Sequence, residues 1–407
     1  MRLILFLILL LLIGFYAYQA LKSSTKNQWF HYAYLLISSL IYFNFFIRFI
    51  FLERENVLQG RGAYAFGFLL ALLAAQVVMI IFMFGEDIFR VLAGIFKRKN
   101  TAENASFLPS RREFIGRLAL GIAAIPFASL IYGMYKGKYN FKVLKYELEF
   151  DDLPDEFDGY QITQISDVHC GSFDNKEKIA YGVDLIKKQK SDIVVFTGDL
   201  VNNKSEELED WKDLFGSISA PDGVFSILGN HDYGEYYNWK SKEEKEQDFQ
   251  KLKDFQKEMG WDLLLNESRS IERNGQKLHI VGVENWGNGG FPKYGDEDKA
   301  AAGLNAKDFK ILLSHDPSHW QEKIQEDKRN YQLTLSGHTH GMQFGIEIPG
   351  LVKWSPVKYR YKYWAGIYEK NQRFINVNRG FGYLAYPGRV GMWPEITVIK
   401  LKKKQKA

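Results

Sequence analysis

The stretches ITQISDVH, residues 162–169, and DIVVFTGD, residues 192–199, decide the fold. Each is a short apolar run that breaks into a polar motif. Ile165-Ser166-Asp167-Val168-His169 ends the first, and Thr197-Gly198-Asp199 ends the second. Between them, Asn175–Lys190 is polar and helix-compatible, and the interval from Asp167 to Asp199 is 199 − 167 = 32 residues. That is about the length of one βαβ unit. Such a unit carries the carboxyl ends of neighbouring parallel strands to one sheet edge, where their side chains share a crevice.

The same pattern recurs outward from this pair. Val224–Leu228 leads into Leu228-Gly229-Asn230-His231-Asp232, Ile311–Leu313 into Ser314-His315-Asp316, and Leu333–Leu335 into Ser336-Gly337-His338-Thr339-His340. His279–Val283 is a further run of this kind. The rhythm predicts a layered α/β domain over about residues 145–400, with Lys242–Glu258 a surface helix that turns Phe249, Leu252 and Phe255 to one side. Four of the eight histidines stand at these strand ends, His231 makes a fifth, and Asp199 and Asn230 add oxygen donors. Carboxylate, imidazole and amide without thiolate suit manganese, iron or zinc. Seven donors exceed what one tetrahedral ion needs, so two divalent ions sharing a carboxylate is the economical reading. Two such ions about 3.5–4 Å apart clamp the attacking and leaving oxygens of an in-line phosphoryl displacement.

Upstream the solvent changes. Residues 3–20 carry no charge, which is enough for roughly 27 Å of helix. Further apolar runs follow at about 30–52, 64–84 and 118–134, the second carrying Arg48 and the last containing Gly121 and Pro126. They predict a membrane domain of about four transmembrane helices in residues 1–135. The segment between the third and fourth runs holds Arg90, Lys97, Arg98, Lys99, Arg111, Arg112 and Arg117. By the positive-inside rule it lies in the cytoplasm, which puts everything after about Lys136 on the extracytoplasmic side. Ser110-Arg111-Arg112-Glu113-Phe114-Ile115 before an apolar run has two readings, the basic flank of a helix or a twin-arginine export signal. Both send the C-terminal half across the membrane. The tail, Lys400–Ala407, is basic and expected to fray.

Composition closes off other classes. Of 407 residues, 25% are charged and 46% hydrophobic, which excludes wholesale disorder. The net charge of 53 − 48 = +5 is too mild to argue for nucleic acid as a partner. The single cysteine, Cys170, excludes an intramolecular disulfide framework and a Cys-rich zinc module. No His-Glu-x-x-His is present, which argues against a zinc peptidase.

Taken in order, the motifs resemble the calcineurin-like metallophosphoesterase superfamily over about residues 145–400, and within it the bacterial membrane-attached phosphoesterases. Asn378-Arg379-Gly380-Phe381-Gly382, leading to Pro394-Glu395-Ile396-Thr397, is similar to their C-terminal ending. The resemblance implies a two-sheet β-sandwich flanked by helices and a dinuclear site at the sheet edge. Carried over motif by motif, Asp167, His169 and His340 hold one metal, Asp199 bridges, and Asn230, His315 and His338 hold the other. His231 stands beside the site to protonate the leaving alkoxide, with Asp232 placed to orient it. The family often shows Gly-Asp-x-x-Asp, and here the last position is Asn202. The implied activity is phosphoester hydrolysis by a metal-bridging hydroxide, on a membrane-associated or extracytoplasmic substrate. The competing reading is a non-catalytic metal-binding sensor or scaffold in the membrane. Trp354–Tyr368, dense in aromatics and holding Lys358, Arg360 and Lys362, reads as an interfacial anchor, a phosphate-approach loop or an aromatic sandwich edge.

Overall fold

A computed structural model describes residues 2–52, 60–97, 109–291, 293–348 and 350–405. Arg98 and Lys99 of the basic segment, and the last two residues of the tail, lie outside the described residues. The chain divides into two compact units, residues 1–135 with 385–387, and residues 136–384 with 388–407.

The first unit is built from four helices, α1 (Arg2–Ser24), α2 (Gln28–Ile47), α3 (Gly60–Lys97) and α4 (Pro109–Tyr135). All four are long and apolar enough to cross a membrane. Their sorting of side chains inverts that of a water-soluble bundle. Leu9, Leu12, Phe15, Leu36, Phe43, Ile81 and Ile125 face outward, while Ala17, Ala20, Ala75, Ala119 and Ala123 are buried between helices. Small residues let backbones approach closely where lipid gives no hydrophobic drive for association. At 38 residues α3 extends about 57 Å, well beyond a hydrocarbon core of about 30 Å. Beyond its apolar stretch, Glu86 pairs with Arg111 at 3.1 Å, and Asp87 pairs with Arg112 and accepts from the Tyr16 hydroxyl at 2.7 Å. Both arginines of the signal-like motif are therefore ion-pair partners of α3.

The second unit runs, in chain order, β1 (Lys142–Phe150), β2 (Gln161–Ile165), α5 (Lys176–Lys187), β3 (Ile193–Phe196), α6 (Lys212–Gly216), β4 (Val224–Ser226), α7 (Lys242–Glu258) and β5 (Asp262–Leu263). It continues through β6 (Glu267–Arg273), β7 (Gln276–Gly282), α8 (Glu297–Ala300), β8 (Phe309–Leu313), α9 (Pro317–Glu322) and β9 (Leu333–Ser336). The last strands are β10 (Ile346–Ile348), β11 (Val352–Trp354), β12 (Gly366–Lys370), β13 (Arg373–Val377) and β14 (Glu395–Lys403). Two six-stranded sheets result, in orders β1-β14-β2-β3-β4-β5 and β12-β13-β9-β8-β7-β6, with β10–β11 a separate hairpin.

Strand alternation assembles the layers. On β3, Ile193 and Val195 point into the core between the sheets, where they meet Ile280, Ile311 and Leu333 of the second sheet. Val194 and Phe196 point the other way, against Ile179 and Val183 of α5 and Leu252 and Phe255 of α7. On the far side, Val281, Leu312 and Val377 pack against Trp320 of α9. Strands covered on both faces read as continuous apolar runs, which is how they stand in the sequence. Each buried Val, Ile, Leu or Phe contributes roughly 1.5–3 kcal/mol. The result is the two-sheet sandwich flanked by helices, following four apolar helices.

One expectation needs correction. The basic tail does not fray from Lys400, because β14 runs on to Lys403 and pairs in parallel with β1 through Lys403 opposite Phe150. Ile399 and Leu401 of that strand are buried between the sheets, which holds the alternate lysines in register. Lys138, just past the fourth apolar run, is 1% exposed and pairs with Asp174 at 2.6 Å. It is a structural cation of the second unit.

Candidate metal centre

β2, β3 and β4 run parallel, and so do β8 and β9 in the facing sheet, so the motifs after all five strands arrive at one end of the sandwich. Two clusters of potential ligands form there, Asp167 with His169 and His340, and Asp199 with His315 and His338. Asp199 lies between them: its Oδ2 is 3.1 Å from His315 Nε2 and 3.5 Å from His169 Nε2. Asp167 Oδ1 is 3.2 Å from His340 Nε2, which in turn is 3.1 Å from His169 Nε2. Asn230 donates from Nδ2 to the Tyr236 hydroxyl at 2.9 Å, which leaves its buried Oδ1 without a partner.

The backbone is bent to make this possible. Asp167, His169, Asp199, His338 and His340 all adopt φ between 48° and 71°, the left-handed region that L-residues avoid. The motif glycines are there because nothing larger fits. A Cβ at Gly337 would lie 1.9 Å from Ser166 Oγ and 2.3 Å from Asp167 Oδ2, and one at Gly229 would lie 2.2 Å from Asp199 Oδ1.

Second contacts fix each ring. His315 Nδ1 donates to the Thr197 carbonyl at 2.7 Å, so its Nε2 faces Asp199. His338 has Nδ1 3.3 Å from His315 Nε2, while its Nε2 meets the Tyr361 hydroxyl at 2.8 Å and lies 3.5 Å from Asp316 Oδ2. Arg389 is fully buried, donates to the Gly382 carbonyl at 2.7 Å and rests 3.2 Å from His340 Nδ1. His231 Nδ1 donates to the Asn202 carbonyl at 2.7 Å, which leaves Nε2 as the ring nitrogen available to the cavity that His231 lines. The Asn202 position thus acts through its backbone, and its side chain bonds Ser172 at 3.0 Å.

Asp232 does not orient His231. Its Oδ2 accepts from the amides of Asp199 at 2.9 Å and Gly229 at 2.8 Å, and its Oδ1 from those of Leu200 at 2.8 Å and Val201 at 3.2 Å. Residues 231–233 form a 3-10 turn, so the two neighbours in sequence point apart. Asp232 ties the Gly-Asp loop to the Gly-Asn-His-Asp loop.

The electrostatics suit cations. Burial opposes ionisation of Asp167 and Asp199, but His340 and His315 around the first, and His315 and His231 around the second, hold both carboxyls well below the usual range. Burial keeps His169 and His338 neutral. At His315 burial is outweighed by Asp199, and its pKa is raised to about 10. Two buried carboxylates stand among imidazoles, and Asn230 Oδ1 and His169 Nδ1 are buried there without a hydrogen-bond partner. Divalent cations fit the donor set. Burial pushes the Cys170 thiol up, which makes it an inert packing residue beside His169.

A cavity of about 420 Å³ opens over the clusters, lined by His231, Tyr236, Phe291, Arg360 and Tyr361 among others. Of these, Arg360 was named only within the Trp354–Tyr368 segment, and Tyr236, Phe291 and Tyr361, like Arg389, were not singled out by sequence reasoning. They arrive on loops with no motif of their own, and only the aromatic and basic density of Trp354–Tyr368 marks two of them.

Comparison with known proteins accords with this geometry. The family model described as calcineurin-like phosphoesterase matches residues 160–342, and that described as probable calcineurin-like phosphoesterase, transmembrane domain, matches residues 1–138. An uncharacterized metallophosphoesterase of Bacillus subtilis is 29% identical over 300 residues, 72% of this chain and 98% of that protein. A transmembrane protein with metallophosphoesterase domain from Danio rerio is 27% identical over 340 residues, 81% of this chain and 72% of its own. An uncharacterized metallophosphoesterase of Helicobacter pylori is 26% identical over 406 residues, 99% of this chain and 98% of its own. Helices and sandwich alike find their counterparts: residues 1–138 match the transmembrane-domain model and residues 160–342 the calcineurin-like phosphoesterase model, the same order of domains as in the transmembrane relative with a metallophosphoesterase domain.

Proposed function

We propose that this membrane protein hydrolyses a phosphoester at a dinuclear metal centre. Asp167, His169 and His340 would hold one divalent ion (manganese, iron or zinc), Asn230, His315 and His338 the other, with Asp199 shared. The observation that carries this reading is the place of Asp199, whose Oδ2 lies within 3.5 Å of an imidazole from each side. Ions in this donor set would supply a water of lowered pKa and neutralise phosphoryl oxygens. The chain's own residues do the rest. His231, its Nδ1–H held by the Asn202 carbonyl, presents Nε2 to the cavity and, when both ring nitrogens are protonated, gives the Nε2 proton to the leaving oxygen, a contribution of about 10²–10⁴-fold. Tyr361 and Asp316 hold His338, and Thr197 holds His315. Arg360, with Cζ 5.3 Å from the Phe291 ring, stands at the cavity wall as a clamp for a phosphate oxygen.

The substrate we infer is a phosphoester at the membrane surface. β1 begins at Lys142, seven residues after α4 ends at Tyr135, so the catalytic domain stays close to the bilayer in which its chain is anchored. The excess of arginine and lysine between the third and fourth helices supports an extracytoplasmic position for it.

The test is elemental analysis of the full chain purified in detergent, together with release of p-nitrophenol from mono- and bis-p-nitrophenyl phosphate. Two equivalents of a transition metal and metal-dependent release are expected. Bound metal without release of p-nitrophenol would favour the sensor or scaffold reading, and absence of both would overturn the metal centre itself.

A further inference from the structure

β10 and β11 belong to neither large sheet. Their register sets Ile346 opposite Trp354, Glu347 opposite Lys353 and Ile348 opposite Val352. Successive side chains of a strand point to opposite faces. Glu347 and Lys353 therefore share one face, and Ile346, Ile348, Val352 and Trp354 share the other. The polar face, though Glu347 and Lys353 are themselves exposed, carries the hairpin's charged contacts to the domain. Glu347 pairs with the Arg379 guanidinium at 2.7 Å. Lys353 donates to the Ala365 carbonyl, and its ammonium lies 5.1 Å from the centre of the Trp364 ring. Most of the apolar face is left outside: Ile346 is 52% exposed, Ile348 48%, Val352 37%, and Leu351 at the turn 79%, while Trp354 is half-buried edge-on to Phe344.

This is the reverse of a water-facing hairpin, and such a surface needs an apolar medium or partner. Its surroundings identify which. Met342 and Tyr359, 58% and 78% exposed, flank it in sequence. From Gly350 to Tyr368 the chain has no acidic residue, but it has Lys353, Lys358, Arg360 and Lys362. Exposed apolar and aromatic side chains among lysines and arginines match the boundary between acyl chains and anionic head groups. The chain's own spanning helices keep a bilayer within reach. Met342 and Arg360 also line the catalytic cavity, so its mouth opens beside this surface.

We propose that the β10–β11 hairpin docks into an anionic lipid bilayer. Leu351 and the Ile346–Ile348–Val352 face enter the interface, Lys358 and Lys362 meet lipid phosphates, and the cavity mouth rests where a lipid phosphoester can enter it. That last step, delivery of a lipid phosphoester, rests on the phosphoesterase reading above; docking does not.

The experiment uses the full chain reconstituted in vesicles of phosphatidylcholine with phosphatidylglycerol. Leu351→Cys takes a polarity-sensitive fluorophore selectively, because the one native cysteine, Cys170, is 1% exposed. Nitroxide-bearing acyl chains are expected to quench this label several-fold more than one at Lys188→Cys, at the far end of α5. Equal quenching at the two positions would overturn docking, and so would dilution-dependent crosslinking between copies through position 351, which would assign the face to a second copy. The Ile348→Asp/Leu351→Asp double variant then tests delivery. Hydrolysis of vesicle-borne phosphatidic acid should fall about tenfold or more while that of p-nitrophenyl phosphate holds, and an equal rate on both substrates would overturn delivery. If the unmodified chain hydrolyses neither, the phosphoesterase reading fails and the delivery step with it, while the quenching result still decides docking.

Discussion

Asp232 offers the sharpest separation between a positioning role and a chemical one. Its two oxygens accept four amide protons, those of Asp199, Leu200, Val201 and Gly229, all from buried residues. A buried donor left without an acceptor costs about 1–3 kcal/mol. Asp232→Ala orphans four, or about 4–12 kcal/mol, against a total domain stability of about 5–15 kcal/mol. Asp232→Asn keeps the shape but must turn its NH₂ group toward one pair of donors, so two bonds become donor–donor contacts and the cost is about 2–6 kcal/mol. At about 2–4 °C per kcal/mol for a domain of this size, the asparagine variant should lose at least about 4–8 °C. Tryptophan fluorescence on heating, with the protein in detergent, reads this, and elemental analysis of the same sample should show metal lost along with stability. An asparagine variant that melts within about 1 °C of the parent, holds full metal and is impaired only in turnover would refute the reasoning. It would return Asp232 to the role of orienting His231.

The complementary variants separate in the opposite sense. His231→Ala should retain metal and melting temperature while turnover falls about 10²–10⁴-fold, whereas Asp199→Ala should lose metal as well as turnover; full metal occupancy and a normal rate in the latter would remove the shared-ligand assignment. The protonation of His315 gives a pH prediction. Its pKa in the metal-free fold is raised to about 10 from an ordinary value near 6.5, so between these limits the fold holds a proton that the unfolded chain releases. This contribution to metal-free stability is complete below about pH 6.5 and is lost as pH rises through about 10, at no more than ~1.4 kcal/mol per pH unit. Metal loading at pH 8 should therefore expel about one proton, seen as a dependence of the binding heat on the ionisation enthalpy of the buffer; equal heats in two buffers would exclude it.

The candidate ligands were legible because each stands within a few residues of the strand that carries it. A β-branched run followed by Gly-Asp or Gly-His is a local signal, and parallel strands do the gathering. The inner and outer faces of β3 could be read as strand but not assigned to a layer, since both are apolar. β14 was beyond reach for a different reason. It inserts between β1 and β2, parallel to one and antiparallel to the other, a pairing across more than 230 residues that no local pattern specifies. Asp232 was misread because adjacency to His231 suggested contact, whereas the 3-10 turn separates the two side chains. Tyr361 and Arg389 reach His338 and His340 from 23 and 49 residues away, with nothing in their own surroundings to mark them. The β10–β11 hairpin carries a plain alternation, but its meaning lies in which face the domain occupies, and only the fold supplies that.

Five ligand candidates in left-handed conformations are also a statement about energy. Each costs about 1–2 kcal/mol, or about 5–10 kcal/mol together, comparable to the whole stability of a domain. Asp167 and Asp199 add the penalty of burying two carboxylates at 0% and 2% exposure. A fold that concentrates so much unfavourable backbone and charge at one edge needs a compensating term there, and cations that bind only the native arrangement provide it. At a thousandfold excess over the dissociation constant, one such ion stabilises by about 4 kcal/mol. Dialysis against a chelator should accordingly lower the melting temperature of the catalytic domain by about 8–16 °C, with manganese or zinc restoring it, while the helical signal of the membrane domain is unchanged. A catalytic domain that melts at the same temperature with and without metal would mean that the strain is offset by packing alone, and that these side chains are held apart from any ion.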